Sequence, residues 1–416
     1  MDYRAMVNPT FLTAKSTLFM LAGAENEDAK RMAAALHTQD ELTENSMRAN
    51  GNKMLLPENE VKALLTGSSL AVEARYAALS RLLRTGGYTN LLDIACGYTP
   101  RSLYCDKAGV DYIGLDVPVV AEELQKVTDG LGLKNTHPVY MGGDATNAAS
   151  LSSAADLMDG EVLISCEGLT QYLSVDEFEQ LVGGIREVLL SHGGAWVTSD
   201  MGVDYEAFAT AAMSSDDAVE KYQNSRRATM KASNIYNEGV GFWDQDRKLE
   251  LLTGHGMKVE KLPFYHGDED LFLLRNMPEE WKTVLLRVLE ASTLWRMTAD
   301  PGFVQAPSIT GAKQVENLTV NYTKIGSILR CAVEGRIDTI SAPTLMEIFE
   351  NHYDGIDEIE VDAKKMEYIS SAGLRVLMMA VKKLGEGSVI VENASAEVKE
   401  IFETTGFNQM IMIKEL

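Results

Sequence analysis

The sequence predicts an α/β protein. A doubly wound, Rossmann-like sheet lies under a helical N-terminal cap, and a second, smaller α/β domain follows. Three observations carry this. A short, mainly apolar run at 91–95 ends in Cys96-Gly97 and leads into a helix-compatible segment, as a buried parallel strand does when it turns into the first helix of an open sheet. Apolar runs then alternate with amphipathic stretches as far as residue 198. Near 299–315 the periodicity gives way to proline, glycine and small polar residues, and a new β-α rhythm begins beyond it.

Residues 1–85 read as a helical cap, with an alanine-rich stretch at 29–36 and apolar spacing of three and four at 60–65 and 71–83. Gly67-Ser-Ser69 is expected to separate the last two. Strands are expected at 91–95, 111–116, 138–142, 161–165 and 194–198, and helices at 119–128 and 174–190. Ser174 with Glu177 three residues on is a capping-box signature. Two runs, 256–264 and 270–274, are too close for a parallel crossover and are expected to pair antiparallel. The polar stretch 203–250 reads as a lid-like insertion or as a helical decoration, and 279–297 as one amphipathic helix. The sheet domain thus spans 86–298, with a linker at 299–315 and the last domain at 316–416. In that domain a hairpin is expected from 317–323 and 327–334, a helix from 341, a strand at 358–362, a helix at 372–384, a strand at 388–391, a helix at 396–405 and a final strand at 410–413.

The 416 residues carry a formal net charge of −23, which argues against nucleic acid as a partner. None of the four cysteines forms a C-x2-C pair, so neither a zinc site nor a disulfide framework is expected, in keeping with a reducing cytoplasm. The apolar stretch 11–24 is interrupted by Lys15 and lacks a basic start. No signal peptide or membrane span is expected, and the protein reads as cytoplasmic.

The strand ends carry the candidate chemistry. Gly97 lets backbone approach a ligand closely. Asp116 ends the second strand, 19 residues after Gly97, where a carboxylate can accept from both hydroxyls of a ribose. Asp144 follows the third strand and could meet an adenine amine. Asp93 could hold the turn or receive an amino group, and Arg101 could pair with a carboxylate. A lone aspartate at a strand end is also a common helix cap. Neither G-x-G-x-x-G nor G-x-x-x-x-G-K-[ST] occurs, which disfavours a nicotinamide enzyme and a P-loop ATPase.

Residues 92–101, 114–118 and 166–173 make the chain resemble a class I S-adenosylmethionine-dependent methyltransferase of the leucine carboxyl methyltransferase-like branch, over about 70–275. Ala95 stands where that family has the first glycine of its turn. The resemblance implies S-adenosylmethionine as cofactor, bound by Gly97 and Asp116 with Asp144 near its adenine. Glu167 would line the pocket, and Arg75 or Arg101 would grip the methionyl carboxylate. Asp93, Ala95, Cys96, Ala145 and Gly168 complete the implied cofactor set. Arg75 also reads as a solvated helix charge. The implied reaction is methyl transfer to an unknown acceptor, a carboxylate or a hydroxyl. For a hydroxyl acceptor Tyr172, Asp200 and His192 are candidate bases, each also readable as structural. The rival reading is a partner-switching protein that binds the cofactor and has lost catalysis.

Residues 317–416 resemble a STAS domain of the anti-sigma factor antagonist type, on 334–345, 368–375 and 398–407. The resemblance puts the phosphoacceptor at Ser371, with Asp338 beside it, and implies an anti-sigma factor or serine kinase as partner. Ser370 replaces the acid that often precedes the acceptor. Read without the resemblance, Ser370-Ser371 is a helix N-cap.

Overall fold

A computed structural model describes residues 9–36, 56–232, 245–303 and 309–413. The chain divides into two compact units, Met1–Gly302 and Phe303–Leu416.

The first unit opens with helices α1 (Pro9–Gly23), α2 (Glu27–Ala35) and α3 (Glu58–Thr85). Strands β1 (Asn90–Ile94), β2 (Asp111–Asp116), β3 (Val139–Gly142), β4 (Val162–Cys166) and β5 (Gly194–Thr198) alternate with α4 (Arg101–Ala108), α5 (Pro118–Gly130), α6 (Ala148–Ala155) and α7 (Val175–His192). The seven-stranded sheet runs in the order β3-β2-β1-β4-β5-β7-β6, where β6 is Met257–Pro263 and β7 is Thr293–Ala299. β1 to β5 are parallel, and β1 sits centrally between β2 and β4.

Every residue of β1 is buried because both sheet faces are covered. Its alternating side chains enter two separate cores. Leu92 and Ile94 pack with Ile113, Ile164, Phe178 and Trp196 on one face. Leu91 packs with Tyr112, Leu163 and Val197 on the other. Helix α7 starts on the expected capping box, Ser174 and Glu177 bonding each other's backbone.

Four expectations need correction. Gly67-Ser-Ser69 does not interrupt a helix: Glu58–Thr85 is one rod of 28 residues. Gly67 is there for closeness, since a Cβ on it would lie 1.9 Å from the Phe208 carbonyl oxygen. Residues 270–274 are not a strand, because Phe272–Asn276 is a short helix (α11). The antiparallel partner of β6 is β7, which begins where the helix Glu279–Ala291 (α12) stops, six residues short of the expected 297. Thr293, Leu294, Trp295 and Met297 are β-branched or bulky and suit a strand buried in the sheet. Finally, the stretch expected as linker carries strand β8 (Ile309–Val315) in its second half. Part of that linker, 304–308, lies outside the described residues, as does 233–244 of the insertion. The described remainder of the insertion is helical: α8 (Tyr205–Thr210), α9 (Asp216–Ala232) and the start of α10 (Gln245–Gly254).

The second unit is a six-stranded mixed sheet in the order β13-β12-β11-β10-β9-β8. β9 (Leu318–Ile325) and β10 (Ile328–Ile337) form the expected hairpin, turning at Gly326 with a positive φ of 56°. β11 (Glu358–Ile369) runs parallel to β10, then β12 (Val389–Glu392) and β13 (Met412–Ile413) follow in parallel. β11 is longer than the expected 358–362. Register shifts against β10 let it continue to Ile369 and deliver Ser370 to the start of helix Ser371–Leu384 (α14). Helices α13 (Ala342–His352), α14 and α15 (Ala396–Thr404) complete the unit around a core that includes Phe349, Val361, Leu377 and Phe402.

Candidate functional site

The carboxyl ends of the parallel strands open into a cavity of about 1520 Å³ within the first unit. That exceeds the 300–1000 Å³ usual for a single small-molecule ligand, so there is room for two reactants. Nine of the eleven residues expected at a cofactor site line it: Arg75, Ala95, Cys96, Gly97, Asp116, Asp144, Ala145, Glu167 and Gly168.

The turn after β1 is built on two left-handed residues, Ala95 at φ 51° and Gly97 at φ 52°. A side chain at the first of these costs strain that glycine would not. The Asp116 carboxylate accepts from the Gly97 and Val117 backbone N–H groups, each at 2.8 Å, and so ties the β1 turn to the tip of β2. Burial raises the Asp116 carboxyl above its ordinary value. Asp144, at the β3 end, accepts from the Thr146 amide and hydroxyl at 2.8 Å through Oδ1.

At the β4 end, Glu167 Oε2 lies 3.5 Å from Arg75 Nε, and its Oε1 accepts from Ser199 Oγ at 3.4 Å. Ser199 Oγ is also 2.8 Å from the Tyr205 hydroxyl, whose ring lies 5.9 Å from the Arg75 guanidinium carbon. Burial pushes the Glu167 carboxyl up to about 7, against the opposing pull of Arg75. Burial likewise pushes the Tyr205 hydroxyl up to about 12. Arg75 is a cavity cation and not a solvated helix charge.

Two expected residues are elsewhere. Arg101 is 2% exposed, donates to Ser80 Oγ at 2.7 Å and to the Tyr76 carbonyl, and lies 3.9 Å from the Tyr76 ring centroid. Its donors bind α4 to α3, so it is not placed to grip a ligand carboxylate. Asp93 shares the Leu91 face of β1, behind the cavity. It accepts from Ser165 Oγ and from the Tyr112 hydroxyl at 3.1 Å, and burial raises its carboxyl. It braces neighbouring strands and does not line the cavity.

Of the three candidate bases, His192 stands at the end of α7, 3.4 Å from Asp156, and is not among the lining residues. Tyr172 and Asp200 line the cavity. Asp200 is engaged by the backbone of the turn after β4. Sequence reasoning missed Tyr205, Glu206, Tyr222, Arg226, Gln245 and Lys248, which line the side of the cavity formed by α8, α9 and α10. Their only signal was their place in the 203–250 insertion. Glu206 is ion-paired with Arg226, joining α8 to α9.

In the second unit, Ser370 is the N-cap of α14, its hydroxyl accepting from the Gly373 amide at 3.4 Å, while Ser371 is exposed in the first turn. The Ser370 amide donates to the Ile337 carbonyl at 2.8 Å, which brings this turn alongside Asp338. Backbone donors Ser341 and Ile340 hold the Asp338 carboxyl below its ordinary value. Among the described residues no group of three or more His, Cys, Asp and Glu is placed to hold a metal ion, and no helix is long and apolar enough to cross a membrane.

Comparison with known proteins separates the two units. The family STAS domain matches residues 319–415. BtrV of Bordetella bronchiseptica, described as an anti-sigma factor antagonist, is 31% identical over 93 residues, 22% of this chain and 80% of its own length. Among solved structures, an O-methyltransferase family protein from Burkholderia thailandensis is similar at 11% identity, over 67% of this chain and 74% of its own, with a TM-score of 0.36. Magnesium protoporphyrin IX methyltransferase from Synechocystis, solved with bound SAH, is similar at 11% identity, over 61% of this chain and 95% of its own, with a TM-score of 0.35. Through its C-terminal unit the chain belongs to the STAS-domain family.

Proposed function

We propose that the first unit is an S-adenosylmethionine-dependent methyltransferase acting on an oxygen of a carboxylate or hydroxyl acceptor. The second unit is then a phosphorylation-regulated interaction module, and the protein works in the cytoplasm. The observation that carries the first half is convergence. The tips of β1, β2, β3 and β4 each deliver one expected group, Gly97, Asp116, Asp144 and Glu167, to a single cavity.

The residues suit the cofactor's parts. Gly97 offers bare backbone, and Asp116, with one oxygen on each of two amides, keeps lone pairs for ribose hydroxyls. Arg75 and Glu167 pair a cation with an anion where an amino acid's carboxylate and ammonium would each find a partner. S-adenosylmethionine supplies, when bound, an electrophilic methyl group. The protein's share is to orient, to hold acceptor and donor together and to exclude water. A carboxylate acceptor needs positioning alone. For a hydroxyl acceptor, Tyr172 lines the cavity and serves as the candidate base.

For the second unit, the exposed Ser371 beside Asp338 supports a phosphoacceptor, since the amides of the first turn of α14 favour an added phosphate. The test of the cofactor reading is calorimetric. S-adenosylmethionine should bind the full chain, and Asp116→Ala should weaken it at least tenfold; equal affinity refutes the site. Release of S-adenosylhomocysteine with a panel of carboxylates and phenols then separates a working enzyme from one that only binds.

A further inference from the structure

Asp200 lies two residues beyond the end of β5 and lines the cavity at 7% exposure. It lies where a general base for a hydroxyl acceptor would be sought. Its hydrogen bonds assign it different work. The Gly168 amide donates to both oxygens, at 2.8 Å to Oδ1 and 2.9 Å to Oδ2. The Leu169 and Thr170 amides donate to Oδ2 at 3.0 and 3.2 Å, and the Thr170 hydroxyl at 3.3 Å. Four donors thus converge on the carboxylate, all of them reaching Oδ2, while Oδ1 carries only the shared Gly168 N–H.

Three consecutive N–H groups turned on one anion form a nest, and here the protein fills its own nest. The nest joins Glu167 to the short helix Thr170–Tyr172, and both line the cavity. It begins at Gly168, whose φ of 77° reverses the chain immediately after Glu167. Among the described residues no other hydrogen bond fixes the Gly168 and Leu169 amides, so the backbone that follows Glu167 is held by the Asp200 carboxylate, while its side chain meets Arg75 and Ser199.

We propose that Asp200 is a positioning residue. It clamps the Gly168–Thr170 backbone and thereby aims Glu167 at the cofactor's ammonium and Tyr172 at the acceptor, without itself taking a proton. This role presupposes the cofactor reading of the cavity. Asp200→Asn keeps the shape of the side chain but places an NH2 group against backbone donors.

The test combines two measurements on the full chain. Hydrogen exchange of peptides covering 167–172 should quicken at least tenfold in Asp200→Asn, while the peptide covering β1 keeps its wild-type rate. Calorimetric affinity for S-adenosylmethionine should fall at least tenfold, and its rise with pH should be reduced, because Glu167 is no longer aimed at the ammonium. Unaltered exchange at 168–170 overturns the clamp. Quickened exchange with affinity within twofold of wild type overturns the aiming of Glu167. Loss of protection across the whole sheet makes the residue merely structural, and a pH profile as steep as that of the wild type overturns the aiming of Glu167. If the wild-type protein fails to bind S-adenosylmethionine, the cofactor reading falls, while the exchange arm still decides whether the carboxylate holds the turn.

Discussion

Gly67→Ala adds a single methyl group where α3 crosses α8. An ideal Cβ at this position lies 1.9 Å from the Phe208 carbonyl oxygen, 2.9 Å from its carbon and 3.6 Å from Ala209 Cα. All three are backbone atoms, so no rotamer change relieves the contact. A carbon–oxygen separation of about 3.3 Å is needed, and α8 must retreat by about 1.4 Å. Overpacking of this kind costs about 1–3 kcal/mol, and the better helix propensity of alanine returns about 1 kcal/mol. The net loss is thus up to about 2 kcal/mol. Gly183, inside α7, is the control, since nothing lies within 4 Å of its ideal Cβ. There Gly183→Ala should stabilise by about 0.5–1 kcal/mol.

All four tryptophans precede residue 303, so tryptophan fluorescence follows unfolding of the first unit alone in the intact protein. The two variants should move its thermal midpoint in opposite directions, by about 2–4 °C per kcal/mol. Because α3 also carries Ser68 and Arg75 and α8 carries Tyr205, Gly67→Ala should weaken ligand binding in the cavity as well. A Gly67→Ala midpoint at or above that of Gly183→Ala refutes the close-crossing argument.

Three further outcomes are expected. Glu167 titrates near 7 because burial disfavours its charge, so it is neutral below that pH and cannot attract an ammonium. Affinity for S-adenosylmethionine should therefore rise as pH increases through about 7, and Glu167→Gln should flatten the profile; a flat wild-type profile contradicts the assignment. Arg75→Met should lose cofactor affinity at least tenfold, whereas Arg101→Met, which strips the Ser80 and Tyr76 contacts, should act chiefly on stability, lowering it by about 2–4 kcal/mol. The reverse pattern in calorimetry and thermal melts would restore Arg101 to the site. Finally, Ser371→Asp should abolish capture of an anti-sigma factor or serine kinase that Ser371→Ala retains, and equal capture by both argues against a switch.

The parallel strands were legible because a strand buried on both faces leaves a compact apolar run, and each ended at a residue with its own chemical signature. Asp116 and Asp144 could be nominated because what matters there is position along one strand. Arg101 and Asp93 show the limit of that logic. Both lie within a few residues of the turn, yet side-chain direction decides access: Asp93 shares the inward parity of Leu91, and Arg101 turns onto the Tyr76 ring. The 293–299 strand was hidden because its apolar residues continue the spacing of α12, and only pairing with β6 distinguishes the two. Gly67 reads as a break until the chain that packs on it is known. Tyr205, Tyr222 and Arg226 belong to no motif, and they reach the cavity only because α8 and α9 fold back over the strand tips.

The cavity has two kinds of wall. Strand tips furnish Gly97, Asp116, Asp144 and Glu167, while helices between Tyr205 and Gly254 furnish Tyr205, Glu206, Tyr222, Arg226 and Lys248. The second set contributes nothing to the pairing of β1 to β5. The two walls are therefore free to diverge at different rates. An ancestor's sheet can be inherited intact while the helical segment is exchanged or rewritten, leaving descendants that share the strand-tip wall and differ in the helical one. Asp200 stands at the seam between them, where a rewritten segment must still leave one carboxylate facing the β4 turn.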